Sequence, residues 1–135
     1  MPLIEVKIPQ GAILAERKEQ LLQELVSTVL KAEGRSDLDD PRFVEGTWTY
    51  IDELHTGSHA VGYHFSQPST PIHYLVHVSV PQGLLDEERK QRLVDEVTRA
   101  FLRASGETDP RAAQRVYCLI HEIPRGNWRV GSPLL

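Results

Sequence analysis

The chain repeats itself, and this limits its possible folds more than any other feature. Residues 8–34 align without a gap on residues 80–106, a shift of 72 that makes 11 of 27 positions identical. The identities include Pro9/Pro81, Gly11/Gly83, Lys18/Lys90, Leu21/Leu93, Glu24/Glu96 and Gly34/Gly106. A second block follows at a shift of 69. Ile51-Asp52-Glu53-Leu54 with Gly57 and Gly62 matches Ile120-His121-Glu122-Ile123 with Gly126 and Gly131. The first copy therefore holds three extra residues, expected in the loop around Ser36 to Arg42. Two blocks in the same order imply a duplicated folding unit.

Each copy reads as strand, helix, strand and short hairpin. Ile4, Val6 and Ile8 alternate with Glu5 and Lys7, and Tyr74, Val76, Val78 and Val80 alternate with His73, His77 and Ser79. That period of two marks half-buried strands. Pro-Gln-Gly at 9–11 and 81–83 is turn chemistry. Apolar residues at helical spacing then predict helices over about 14–33 and 86–105, with Asp86 as an N-cap and Gly34 and Gly106 at the C-terminal ends. Second strands are expected over about 47–54 and 115–123, and glycines 57, 62, 126 and 131 suit hairpin turns. A strand–helix–strand unit makes a right-handed crossover between parallel strands. Two such units build one four-stranded sheet with both helices on one face, an α/β (α+β) arrangement. The chain is read as a single domain, 1–135, with a first unit at 2–62, a linker at 63–71 and a second unit at 72–135. The uncovered sheet face retains apolar side chains, which argues for an oligomer.

The composition is that of a globular domain, with 40% hydrophobic and 25% charged residues. A formal charge of −4 with both signs interspersed gives no electrostatic basis for nucleic-acid binding. No apolar run approaches the roughly 20 residues of a membrane span, and the first residues do not resemble a secretory signal. One cysteine, Cys118, excludes an intrachain disulfide, and the expected location is the cytoplasm.

Chemistry enters at the second residue. Met1 is followed by Pro2, and initiator methionine is normally removed before proline. The mature chain would then begin with a secondary amine, whose reference pKa is roughly 7.7–8.0. Burial or a nearby cation lowers such a value toward neutrality. A base of that strength takes a proton from carbon beside a carbonyl and returns it elsewhere. Many chains start Met-Pro without consequence, but here the proline heads the first strand of a duplicated unit.

The order of elements and residues resembles the tautomerase superfamily, whose prototype is 4-oxalocrotonate tautomerase. The resemblance rests on Pro2-Leu3-Ile4-Glu5-Val6-Lys7-Ile8, Gly11, Lys18, the Glu53 region and Gly57 to Gly62, and on 74–131 in the second copy. It is greatest with fused two-unit members of the cis-3-chloroacrylic acid dehalogenase and malonate semialdehyde decarboxylase type. The resemblance implies a tautomerase/MIF-like fold, a homotrimer of fused chains, no cofactor, and catalysis by the N-terminal proline. It also locates departures. The prototype's carboxylate-binding arginine after the first-turn glycine corresponds to Ala12 and Leu84, and its second arginine to Trp48 and Tyr117. Trp128 falls at the prototype's pocket phenylalanine, where the first copy has His59. Arg115, two residues before Tyr117, shares its strand face. Arg115, Tyr117 and Trp128 are therefore the candidate substrate-binding residues, from the same or a neighbouring chain.

The remaining constellations carry less. His73 and His77 would lie about 13 Å apart along a strand, too far for one ion, and no metal site is expected. Cys118 reads as a small mid-strand hydrophobe, and the acidic run 37–40 as a solvated loop. The functional expectation is a tautomerase-type isomerase in which Pro2 moves a proton on a small keto/enol compound. The alternatives are a hydratase, dehalogenase or decarboxylase of a short acid on the same scaffold, or an oligomeric protein without catalytic activity.

Overall fold

Alternation in the first strand dictates a sheet with one dry face. In the computed structural model, which describes residues 2–131, β1 (Leu3–Pro9) buries Ile4, Val6 and Ile8 and exposes Glu5 and Lys7. Strands β2 (Trp48–Leu54), β5 (Tyr74–Pro81) and β6 (Val116–Ile123) complete a four-stranded sheet in the order β2-β1-β5-β6. The pairs β1–β2 and β5–β6 are parallel, and β1–β5 is antiparallel. Both long helices, α1 (Lys18–Ala32) and α3 (Glu87–Ser105), share one core with the sheet's dry face. A two-stranded hairpin of β3 (Ala60–Val61) and β4 (His64–Phe65) stands apart from the sheet.

The repeat is written into the register. Glu5 pairs with His77, and His77 is also the residue equivalent to Glu5 under the shift of 72. The pseudo-twofold axis therefore runs through that pair. Leu3 lies beside Trp48, and their equivalents Leu75 and Tyr117 lie beside each other. The Lys18–Glu53 ion pair at 3.0 Å recurs as Lys90–Glu122 at 3.2 Å. Gln10 N donates to the Leu54 carbonyl and Gln82 N to that of Ile123.

Packing follows the same symmetry. Leu21, Leu25 and Val29 of α1 and Leu93, Val97 and Phe101 of α3 are buried against Ile4, Val6, Ile8, Val76 and Val78. The two helices run antiparallel, so each begins where the other ends. The Arg89 guanidinium lies 3.4 Å from where a Cβ on Gly34 would stand, and that of Arg17 lies 3.7 Å from the same point on Gly106. Each cation thus meets the negative end of the opposite helix dipole. Both glycines have left-handed backbone, φ +89° and +70°, the conformation that ends a helix at low cost.

Three local outcomes differ from the sequence expectation. Helix α1 starts at Lys18 rather than near Leu14, behind a tight turn at Ala15–Arg17. In α3, Asp86 accepts from Arg89 N at 2.8 Å; its counterpart Leu14 has no acceptor, so the first turn tightens instead. The acidic run is not simply a solvated loop. Asp40 caps a short helix, α2 (Pro41–Val44), accepting from Arg42 N at 3.0 Å. Asp109 does the same for the Pro110–Arg115 turn, accepting from Arg111 N at 2.9 Å. This Asp-Pro-Arg pair extends the shift of 69 back to residue 40 and confines the three extra residues to 35–39. Finally, half of the expected linker is structured, because β4 pairs back on β3 across Gly62 and Tyr63. Its counterpart in the second unit would fall on residues 133–134, outside the described residues.

Candidate active site

A duplicated sheet has two equivalent ends, and the sequence makes them chemically different. At one end Pro2 precedes β1. It is buried, and its carbonyl accepts from Trp48 N at 3.3 Å, which extends the β1–β2 ladder by one step. Leu3 pairs with Ser79, so Pro2 stands beside the end of β5 and the turn at 81–84. By strand alternation its ring is on the helix side, with Ile4. At the opposite end Tyr74, 2% exposed, heads β5, and its hydroxyl is 2.6 Å from Ser105 Oγ at the end of α3.

Glu33, at the end of α1, occupies in the first unit the place of Ser105 in the second. It is 6% exposed, and both carboxylate oxygens are shielded from solvent. Burial pushes its carboxyl up from the ordinary value, against the pull of the chain's N-terminal charge and of Arg35. Arg35 itself stacks 4.2 Å over the Phe43 ring. In the sequence alone Glu33 is one acidic residue at a helix end and looks like surface. The signal was available: its equivalent is a serine, and its neighbours are the last buried turn of α1.

The second-unit end contains a cavity of about 340 Å³ lined by Gln10, Ala12, His59, Ser66, Pro71 and Ile72 among others. Both His59 ring nitrogens are buried and unpartnered among the described residues. The first unit's turn and hairpin thus reach the entrance of the second unit's first strand. Under the pseudo-twofold, Leu84 and Trp128 are the equivalents of Ala12 and His59. Ala12 is packed into the core rather than lining a charged clamp.

The other candidates disperse within one chain. Arg115 donates through Nε to the Ile72 carbonyl at 2.9 Å and pairs with Glu107 at 3.0 Å. It therefore sits at the Tyr74 end, the length of β1 away from Pro2. Tyr117 projects from edge strand β6 onto the open sheet face and is 69% exposed. Trp128 is half-buried, in a segment where Asn127 N donates to the Pro124 carbonyl at 3.0 Å and Arg129 Nε to that of Gly126 at 2.8 Å. Cys118 faces the core from β6, where burial pushes its thiol up to about 11. On the open face His77 Nδ1 lies 2.8 Å from His121 Nε2 and the rings stack at 5.0 Å. Spacing along the His77 strand does not show this cross-strand pair, which depends on register.

Comparison with known proteins agrees with the duplicated architecture. Residues 75–134 match the family model described as Tautomerase enzyme. No curated protein matches the sequence significantly. Among solved structures, the symmetric trimer of the Q0 fused 4-OT superposes with a TM-score of 0.74 at 20% identity, covering 98% of this chain and 94% of that one. Pt0534, solved after inactivation by 2-oxo-3-pentynoate, gives 0.74 at 17% identity over 95% and 90%. N1, a member of the cis-3-chloroacrylic acid dehalogenase family, gives 0.72 at 15% identity over 98% and 82%. No helix among the described residues is long and apolar enough to cross a membrane. The second unit thus matches the Tautomerase enzyme family model, and the chain as a whole has the tautomerase/MIF-like fold of the fused 4-OT structures.

Proposed function

We propose that the chain is a tautomerase-type isomerase that uses the Pro2 amine, after loss of Met1, to move a proton on a small keto/enol compound. The observation that carries this reading is the placement of Pro2. It is buried at the head of a central strand, where an amine is held by the sheet and is sheltered from bulk water. Trp128 and the turn at 81–84 are proposed as its walls in the same chain, by the symmetry that sets His59 and Ala12 beside Ile72. Tyr117 and Arg115 are proposed to join from a neighbouring chain of a homotrimer. In that assembly the exposed edge aromatics would be covered and the pocket closed. With alanine and leucine at the two turn positions, the substrate is expected to be less anionic than a dicarboxylate.

A second reading, hydration or decarboxylation of a short acid with Pro2 as proton donor, is favoured by the buried carboxylate of Glu33. The test begins with mass spectrometry of the intact protein, which should show loss of Met1. Phenylenolpyruvate ketonisation should then be measured for wild type and Pro2→Ala, and for a chain extended at the N-terminus. The extended chain is expected to be inactive, because its proline nitrogen is an amide; alanine, still a primary amine, should keep part of the rate. Incubation with 2-oxo-3-pentynoate is expected to add mass to the N-terminal peptide alone. Full activity of the extended chain would refute the assignment.

A further inference from the structure

The two ends of the sheet exchange side-chain reach. In the second unit the strand head is long, Tyr74, and the helix end is short, Ser105; their oxygens meet at 2.6 Å. In the first unit the strand head is short, Pro2, and the helix end is long, Glu33. The same space between helix end and strand head is filled in opposite ways. By the equivalence of the two units, the place of the tyrosine hydroxyl at one end corresponds at the other to the space between Pro2 and Glu33, whose carboxylate is buried. Apolar or hydroxyl side chains would fill this space without the desolvation cost of a carboxylate, several kcal/mol unless a cation compensates. A mature N-terminal proline brings such a cation. Its protonated secondary amine has two N–H bonds, so one can be held by a carboxylate while the other remains directed at a substrate.

We propose that Glu33 is the counter-ion of the Pro2 amine, a positioning residue that keeps this amine protonated at neutral pH and fixes the direction of its second N–H bond. The inference rests on the proposed role of Pro2 and deepens it. It makes Pro2 a proton donor in its resting state. During ketonisation of an enol, the ammonium proton goes to carbon, and the proton leaving the enol oxygen returns to the amine through water, so no net proton is consumed. Lys31, Arg92 and Glu96 line the groove beside Gly34, and two cations meet the helix end itself: Arg35, which follows it, and Arg89 of α3, beside Gly34. Both oppose a second positive charge, so the carboxylate has to act against them.

The experiment is a ¹⁵N-proline NMR titration of the full chain, with loss of Met1 first verified by mass. The wild-type Pro2 amine should titrate above the ordinary α-amino range of roughly 7.7–8.0. Glu33→Gln, nearly isosteric, should lower its midpoint by about one pH unit or more, and Glu33→Asp by less. The alkaline limb of the pH–rate profile should move by the same amount, a change that a merely structural role would not produce. A wild-type midpoint within or below the ordinary range overturns the proposal without any variant, should Glu33→Gln fail to fold. A Glu33→Gln midpoint unchanged within about 0.3 unit also overturns it. If 2-oxo-3-pentynoate still labels the N-terminus in either case, Pro2 stands and only Glu33 falls. A retained Met1 removes both.

Discussion

Replacing Tyr50 by aspartate should dismantle the assembly while leaving the subunit folded. Tyr50 lies on the open sheet face, in edge strand β2, and is 57% exposed. It belongs to a row of apolar side chains on the two edge strands: Trp48 at 62%, Tyr117 at 69% and Leu119 at 44%. An aromatic side chain buries roughly 200 Å², so covering the exposed part of Tyr50 removes about 110 Å² from water. At about 25 cal/mol per Å² this is close to 3 kcal/mol per chain, or about 8 kcal/mol for a closed trimer. Aspartate forfeits that contribution and adds a charge that must keep its water. A loss of about 8 kcal/mol is roughly six decades in the three-body association constant. Because the midpoint concentration varies as its square root, dissociation should shift by about a thousandfold. Sedimentation velocity from nanomolar to tens of micromolar, with circular dichroism as a folding control, reads both quantities. Wild type sedimenting as a monomer at 10 µM would refute the trimer outright. A Tyr50→Asp trimer that persists to the same dilution as wild type would remove this face from the interface.

Three further outcomes test the fold and its two ends. Leu93→Ala, at a site 1% exposed between α3 and the sheet, should cost about 3 kcal/mol in denaturant unfolding; a loss under 1 kcal/mol would show that α3 is not seated as described. Tyr74→Phe should cost about 1 kcal/mol, because Ser105 keeps its bonds to the Phe101 and Leu102 carbonyls, and a Tyr74→Phe/Ser105→Ala cycle should show coupling. The Cys118 thiol, pushed up to about 11 by burial, exists mainly as the unreactive protonated form at pH 8. Its modification by a disulfide reagent should be slow in the native protein, accelerate about tenfold per pH unit from 8 to 10, and become fast in denaturant; native reaction within tenfold of the unfolded rate at pH 8 would contradict this placement.

The duplication made most of the fold legible, since a gapless shift of 72 specifies the strand–helix pair and a shift of 69 the returning strand. Strand alternation at Ile4, Val6 and Ile8 located the core, and Gly34 and Gly106 the helix ends. Boundaries failed where one copy lacked the capping group of the other, as Leu14 lacks the carboxylate of Asp86. The site was less legible. Pro2 drew attention through its unusual amine, but Arg115 was grouped with Tyr117 by strand parity alone. Parity fixes the face and leaves the partner open; Arg115 is held by the Ile72 carbonyl and Glu107, contacts between segments distant in sequence. The His77–His121 pair escaped for the same reason: it is a cross-strand contact that depends on register.

Fusion explains why such a sheet can carry different chemistry at its two ends. Two separate identical chains around a dyad must present the same groups twice, so any demand of the catalytic end is imposed on both. Within one chain the second strand head is acylated and has no free amine, and the cation at that end, Arg115, is already paired with Glu107. Tyr74 and Ser105 satisfy that end with a neutral hydrogen bond at 2.6 Å, backed by the Phe101 ring at 5.6 Å from the tyrosine ring. The first end can then retain Pro2 with the buried carboxylate of Glu33. The same step accounts for the opposite expectations for the proline. An apolar wall and a nearby arginine would lower its proton affinity, but Arg115 lies at the tyrosine end, whereas the carboxylate lies at the proline end. The sign of the amine's shift is therefore decided by Glu33 against Arg35 and Arg89, and the burial of the carboxylate strengthens the attraction between opposite charges.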